Sequence, residues 1–285
     1  MSIPTSKPRI VYKYLDSIGG RLALHESTIK YTSILHFNDP FECRFGDFSP
    51  DDVKRFVEDF EIAKTDRDQW KAFCNAHADF IPAGSSEREL MRHQTTEQLL
   101  QYVKSFSLQA QPFVHSGVAK TLAIASFSER KDSLLMWSHY AQQHKGLVIG
   151  YDTNCFHSIL PDGDSLSPVS YVDKRVAMPL SSDVPWGTLD QLTTTKFHDW
   201  SYEHEWRSVV VDHEERMDEY GSIYAKIDPH YICEINIGAC ATNELISVCG
   251  DYCSNHPNCK LYQASFDRRE YSLNFSLISP PPKLS

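Results

Sequence analysis

The chain has 285 residues, 41% apolar and 23% charged, and its 28 Lys+Arg against 38 Asp+Glu leave a net charge of −10. That length admits one large domain or two small ones and can bury a sizeable core. The acidic total disfavours nucleic acid as an obligate partner. No run reaches the roughly 20 apolar residues that span a bilayer, and the opening MSIPTSKP lacks the apolar core of a signal peptide. A cytoplasmic protein with no membrane segment is expected.

Residues 9–14, RIVYKY, are β-branched and aromatic and predict a first strand. Gly19-Gly20 predicts a turn. Ile29–Tyr31 predicts a short strand, followed by a loop ending in Phe37-Asn38-Asp39-Pro40-Phe41-Glu42, where Pro40 forbids regular helix. Val53, Phe56, Val57, Phe60 and Ala63 recur at helical spacing, so 51–80 is expected to be helical. Pro82-Ala83-Gly84-Ser85-Ser86 breaks that run, and a second helical stretch covers about 87–108. Together they predict a helical insertion or cap at about 50–117, set within a single α+β domain.

Residues 121–128, TLAIASFS, form the clearest buried strand. A helix over 133–144 follows, capped by Asp132 or Ser133 and ended by Gly146. Strands are expected at 147–151, 169–172, 206–211, 222–227, 231–237, 259–264 and 271–277, with a helix at 242–254 and a frayed Pro280-Pro281-Pro282 tail. Strands at short intervals without βαβ alternation predict an α+β fold with a mixed, largely antiparallel sheet.

Eight cysteines occur, five of them between Cys233 and Cys259, with no Cys-x2-Cys pair. Ordinary thiols are favoured over disulfides or structural zinc, which needs closely paired ligands. No glycine-rich phosphate loop, nucleophile elbow or H-E-x-x-H helix is present.

Four segments carry polar and aromatic residues where strands end. In Tyr12-Lys13-Tyr14 the two tyrosines share one strand face and Lys13 takes the other. Asn38-Asp39-Pro40-Phe41-Glu42 supplies turn chemistry and two carboxylates. Ser126 and Ser128 project from one face of a buried strand and need partners. The helix behind them brings Trp137, His139 and Tyr140, and Trp137 and Tyr140 are three apart on one face. The fourth segment is Trp200-Ser201-Tyr202-Glu203-His204-Glu205-Trp206-Arg207. As a strand it would set Glu203 and Glu205 about 7 Å apart on one face, with Arg207 beyond them and Tyr202, His204 and Trp206 opposite. Paired carboxylates raise each other's pKa and call for a cation, and one structural ion pair with Arg207 leaves the second glutamate unexplained.

These segments, together with Lys145-Gly146 and Lys196, resemble domain-of-unknown-function family 2971. That resemblance implies a bacterial, cytoplasmic setting and brings no reaction. A looser similarity links Lys13, Ser126-x-Ser128 and Glu203-x-Glu205 to the ADP-ribosyltransferases, although Lys13 stands where that group has Arg or His. The similarity implies NAD as substrate, Glu205 as the main catalytic residue, Glu203 facing an acceptor and Arg207 beside them. Tyr12, Lys13, Asn38, Asp39, Ser126, Ser128, Trp137, His139, Tyr140, Trp200 and Tyr202 would line the nucleotide. Two other readings stand beside it. One is a phosphoester hydrolase holding a divalent metal on Asp39, Glu42, Glu203 and Glu205. The other is a non-catalytic module that binds a nucleotide or protein in a defence or toxin–antitoxin setting.

Overall fold

The computed structural model describes residues 6–78, 80–159, 166–180, 184–211 and 217–278. In chain order its elements are β1 (Ile10–Leu15), α1 (Ser17–Glu26), β2 (Thr28–Ser33), α2 (Pro50–Ala63), α3 (Arg67–Ala76), α4 (Ser85–Arg92) and α5 (Thr96–Thr121). They continue with β3 (Leu122–Ser128), α6 (Leu134–Tyr140), β4 (Leu147–Asp152), α7 (Phe156–Ile159), β5 (Leu166–Pro168), β6 (Ser170–Val172), α8 (Trp186–Thr194) and β7 (Thr195–Phe197). The last are β8 (Glu205–Val211), β9 (Ser222–Lys226), β10 (Ile232–Ile237), α9 (Asn243–Asn255), β11 (Lys260–Phe266) and β12 (Leu273–Leu277). The fold is α+β, as the sequence predicts. The Pro280–Pro282 tail lies outside the described residues. No described helix is long and apolar enough to cross a membrane.

The chain divides into two compact units. Residues 1–40, 120–171 and 196–285 make the first, and 41–119 with 172–195 make the second. The expected helical block is realised as α2–α5 in the second unit, which also contains 172–195 and α8.

The first unit is built on one sheet in the order β12-β11-β10-β4-β1-β3-β2-β9, with β8 on β3 and β5 on β8. The β10–β11 pair is parallel, while the other ladders of that sheet are antiparallel. β3 is the pivot. One edge pairs along its whole length with β8, from Leu122↔Val211 to Ser128↔Glu205. Its other edge is shared, with β2 at Ala123 and Ile124 and β1 only at Ser128. The sheet therefore splits there, and the Ser126 carbonyl lies between the two pairings.

Strand alternation gives the sheet two apolar faces. Val11, Leu147, Ile149 and Ile235 pack with Leu24 of α1 and Leu245 and Cys249 of α9 in one core cluster. Tyr14 and Val148 pack with Met136 and Trp137 of α6 in another. Each fully buried aliphatic chain of this kind stabilises by roughly 1.5–3 kcal/mol.

Three local expectations are corrected. Gly19-Gly20 is not a turn but lies inside α1. Asp16 caps that helix by accepting from Gly19 N, and Gly20 is needed because a Cβ there would meet Leu147 Cδ2 at 2.2 Å. The helix expected over 51–80 is two helices, since Asp66 accepts from Asp68 N and Gln69 N and starts α3 afresh. The helix expected over 133–144 ends at Tyr140, because Gln142, Gln143 and His144 take positive φ of 51°, 51° and 66°.

Candidate functional site

The Trp200–Arg207 segment is not a single strand. Residues 198–203 form a 3-10 turn, His204 is left-handed with φ 45° and ψ 53°, and β8 starts at Glu205. A left-handed histidine costs on the order of 1 kcal/mol. It also overrides the alternation that the sequence implied, so Glu203 and Glu205 reach the same cation from different backbone geometries. His204 does not share a strand face with Tyr202 and Trp206.

That cation is Lys196, carried on β7. Its Nζ donates to Glu203 Oε2 at 2.6 Å and to Glu205 Oε2 at 3.0 Å. Arg207 takes the other side of Glu205 in a two-point fork, Nε to Oε1 at 2.8 Å and Nη2 to Oε2 at 3.1 Å. Lys196, Glu203, Glu205 and Arg207 are all buried, and Arg207 completely so. Tyr140 OH donates to Glu203 Oε1 at 2.7 Å, and the Glu205 backbone N–H donates to Tyr171 OH at 2.8 Å. The Ser126 hydroxyl also hydrogen-bonds Glu205. A forked Arg–carboxylate pair is the geometry of an ionised carboxylate.

Burial pushes the Glu205 carboxyl up, Glu203 adds to the rise, and Lys196 opposes it. Burial alone would depress Lys196, but Glu205 and Glu203 more than offset it and hold that ammonium above its ordinary value. Burial lowers the Arg207 guanidinium to about 9, still charged at neutral pH. Tyr140 and Tyr171 are raised, first by burial and, for Tyr140, next by Glu203.

Lys13 sits at the split in the sheet. Its Nζ donates to the Ser126 carbonyl at 3.2 Å and lies 4.9 Å from the Phe127 ring centre. Burial lowers it to about 8; Glu205 opposes that shift and Lys30 adds to it. Among the described residues Lys13 forms no ion pair with a carboxylate.

Around this centre stand aromatic rings. The Trp200 ring centre is 5.0 Å from Lys196 Nζ, and its indole N–H donates to Asp39 Oδ2 at 2.9 Å. Tyr202 lies 6.1 Å from Trp200, centre to centre, and the Phe37 ring centre is 5.8 Å from the Arg207 guanidinium carbon. Asn38 donates to Tyr140 OH at 3.4 Å.

The structure thus brings together Lys13, Ser126, Tyr140, Glu203, Glu205 and Arg207, with Asn38, Asp39, Trp200 and Tyr202 at the edge. It separates four other candidates. Ser128 is wholly buried, donates to Glu203 O at 2.6 Å and accepts from Arg130 N at 3.0 Å, so both hydroxyl functions are used by backbone. Trp137 is wholly buried against Tyr14 and His144, and its indole donates to Lys131 O. His139 is exposed beside Tyr140. Tyr12 bonds Glu234 instead. Glu42, the remaining carboxylate of the metal reading, is buried.

Two site residues acquire their role only in three dimensions. Lys196, noted as part of the resemblance, is the bridging cation. Tyr171, which accepts from the Glu205 N–H, carries no signal in sequence, where it is one tyrosine in a short strand. No cluster of three or more His, Cys, Asp or Glu placed to hold a metal occurs among the described residues. A divalent ion between Glu203 and Glu205 would have to displace the Lys196 ammonium.

Residues 136–208 match the model of a family described as "Protein of unknown function (DUF2971)". The matched span runs from Met136 to Ser208 and so includes Tyr140, Tyr171, Lys196, Glu203, Glu205 and Arg207. Lys13 and Ser126 fall outside it. No curated protein and no solved structure matches the chain.

Proposed function

We propose that the first unit binds an anionic nucleotide at the Lys196–Glu203–Glu205–Arg207 cluster, and that NAD is its substrate in an ADP-ribosyl transfer or hydrolysis. The observation that carries this reading is the junction of Lys13, Ser126 and Glu205, three residues far apart in sequence: Ser126 bonds Glu205 by its hydroxyl and Lys13 by its carbonyl. Three cations, Lys13, Lys196 and Arg207, stand there with Glu203 and Glu205. Their positive charge suits a pyrophosphate. Trp200, Tyr140 and Phe37 offer flat surfaces for a base or nicotinamide.

Cleavage of the nicotinamide bond builds positive charge on the ribose, which a desolvated carboxylate stabilises. Glu205 is that carboxylate in this reading. Its oxygens are held by Lys196 and Arg207, so a pyrophosphate that competes for those cations would release it to the ribose hydroxyls.

The test is titration calorimetry of the purified chain with NAD and ADP-ribose, followed by an assay for nicotinamide release. NAD binding that is lost in Arg207→Lys, and release lost in Glu205→Gln with the fold intact by circular dichroism, is the expected result. Absence of binding by either nucleotide sinks the site. Binding without release, with and without lysate acceptors, sinks the chemistry alone and leaves a binding module.

A further inference from the structure

A second charged centre lies on the same sheet, away from Glu205. Tyr12 of β1, Gly150 of β4 and Glu234 of β10 are cross-strand neighbours in one row. Tyr262 of β11, which pairs with Asn236, and Phe275 of β12, which pairs with Ala264, lie on the next two strands. Gly150 carries no side chain, and Glu234 and Tyr12 close over it: a Cβ there would stand 2.7 Å from Glu234 Cγ and 3.1 Å from Tyr12 Cε1. Lys131, from the loop between β3 and α6, reaches over this face of the sheet. Its Nζ is 2.8 Å from Glu234 Oε1. It also lies 4.5 Å from the Tyr262 ring centre, 5.4 Å from Phe275 and 5.8 Å from Tyr12.

An ordinary surface ion pair needs only a carboxylate. Three rings around one ammonium, with a carboxylate beside them, is the chemistry that selects alkylammonium ions over neutral groups. The carboxylate is itself fixed, by Asn236 Nδ2 at 3.1 Å and by Tyr12 OH. All three rings are partly exposed, and the Lys131 side chain keeps 26% of its accessible surface, so the ring cluster is open to solvent.

The loop that Lys131 anchors is also tied to the Glu203–Glu205 segment. Glu129 N donates to His204 O at 3.1 Å, and Glu129 Oε1 accepts from the Trp206 indole at 2.7 Å. Lys131 O accepts from the Trp137 indole at 2.7 Å, and Arg130 O from Tyr14 OH at 2.8 Å.

We propose that Tyr12, Tyr262, Phe275 and Glu234 form an alkylammonium-binding site whose resident occupant is Lys131, and that it takes a small external alkylammonium when Lys131 is withdrawn. Occupancy holds residues 129–133 against the backbone of His204. Lys131 is thus a positioning residue for the glutamate segment, whatever ligand that segment binds.

The experiment uses the full chain with 15N-labelled tryptophan indoles. Lys131→Ala removes three methylenes and the ammonium, a void that n-propylammonium matches, and 1-propanol is the neutral isostere. The expected result is that Lys131→Ala displaces the Trp137 and Trp206 indole signals but not that of Trp70. Propylammonium or tetramethylammonium should return them saturably, and 1-propanol should not. Unmoved indole signals, or equal return by 1-propanol, overturn the proposal. If Lys131→Ala does not fold, Lys131→Met decides. That variant fills the space of the Lys131 side chain without charge, and it must displace the same two signals and ignore propylammonium.

Discussion

Lys196→Met removes one cation from between two buried carboxylates while keeping an apolar stem. At the observed 2.6 and 3.0 Å, and with an effective dielectric constant of about 20, each pair contributes roughly 6 kcal/mol of gross Coulomb attraction. The loss will not be that large, because the variant has a cheaper alternative than two uncompensated charges. It can take up a proton. A carboxyl with the ordinary value of 4.5 needs about 3.4 kcal/mol to be protonated at pH 7 and about 0.7 kcal/mol at pH 5. The deficit is therefore capped near 3 kcal/mol at neutral pH, in keeping with the roughly 3–5 kcal/mol cost of breaking a buried pair. It should shrink by about 1.4 kcal/mol for each unit of pH as one proton is taken up on folding. Urea unfolding of the wild type and the variant between pH 5 and 8, followed by tryptophan fluorescence, measures this directly. A deficit independent of pH, or one below about 1 kcal/mol at pH 7, would refute the claim that Lys196 neutralises Glu203 and Glu205.

Further outcomes follow from the neighbouring residues. The Lys13 ammonium is held at about 8 in the fold against 10.5 ordinarily, so the folded chain binds fewer protons between those values and stability rises with pH across that window. Lys13→Met should flatten that rise, stabilise the chain by about 1–2 kcal/mol at pH 7 after allowance for its partial exposure, and abolish nucleotide binding in calorimetry. Ser128→Ala should cost roughly 1–3 kcal/mol in urea unfolding, because the buried Glu203 carbonyl and Arg130 N–H lose their partner. Ser126→Ala should instead weaken nucleotide binding, with the smaller effect on stability. Gly146→Ala should lower the melting temperature steeply, since its Cβ would stand 2.1 Å from the Leu15 carbonyl oxygen and backbone cannot yield as a side chain does; unchanged melting would contradict the close approach of β1 and β4.

Much of the fold is legible in the sequence, because strands such as 122–128 and 147–152 carry apolar, β-branched runs whose burial decides their place. α1 was hidden by Gly19 and Gly20, which look like a turn until Leu147 is found packed on Gly20. The end of α6 was hidden because nothing in Gln142-Gln143-His144 announces three positive φ values. At the site, the acidic-aromatic run was visible but its geometry was not. A period of two was a fair inference for 202–207, and one left-handed residue, His204, broke it. Tyr12, Ser128 and Trp137 were polar or aromatic at strand and helix ends, and those features fit a buried structural role as well as a ligand. Only their bonds to Glu234, to the Glu203 carbonyl and to Lys131 decide between the two.

The two charged centres of the first unit are built on different logic. Forked and bridging ion pairs hold both oxygens of Glu205, so on the proposed function an incoming anion would have to win Lys196 or Arg207 from it. A buried cation released from its carboxylate is costly unless another anion replaces it at once, which makes exchange by a doubly charged pyrophosphate far easier than by a single carboxylate or chloride. Around Lys131 the rings supply attraction without charge, so an occupant can leave with only Glu234 exposed to water. In the proposed readings the first centre would select by the valence of the anion, and the second by the presence of an ammonium. The backbone link from Glu129 to His204 places them on one mechanical chain. Propylammonium added to Lys131→Ala should accordingly restore nucleotide affinity along with the indole signals, since both depend on where His204 holds its neighbours.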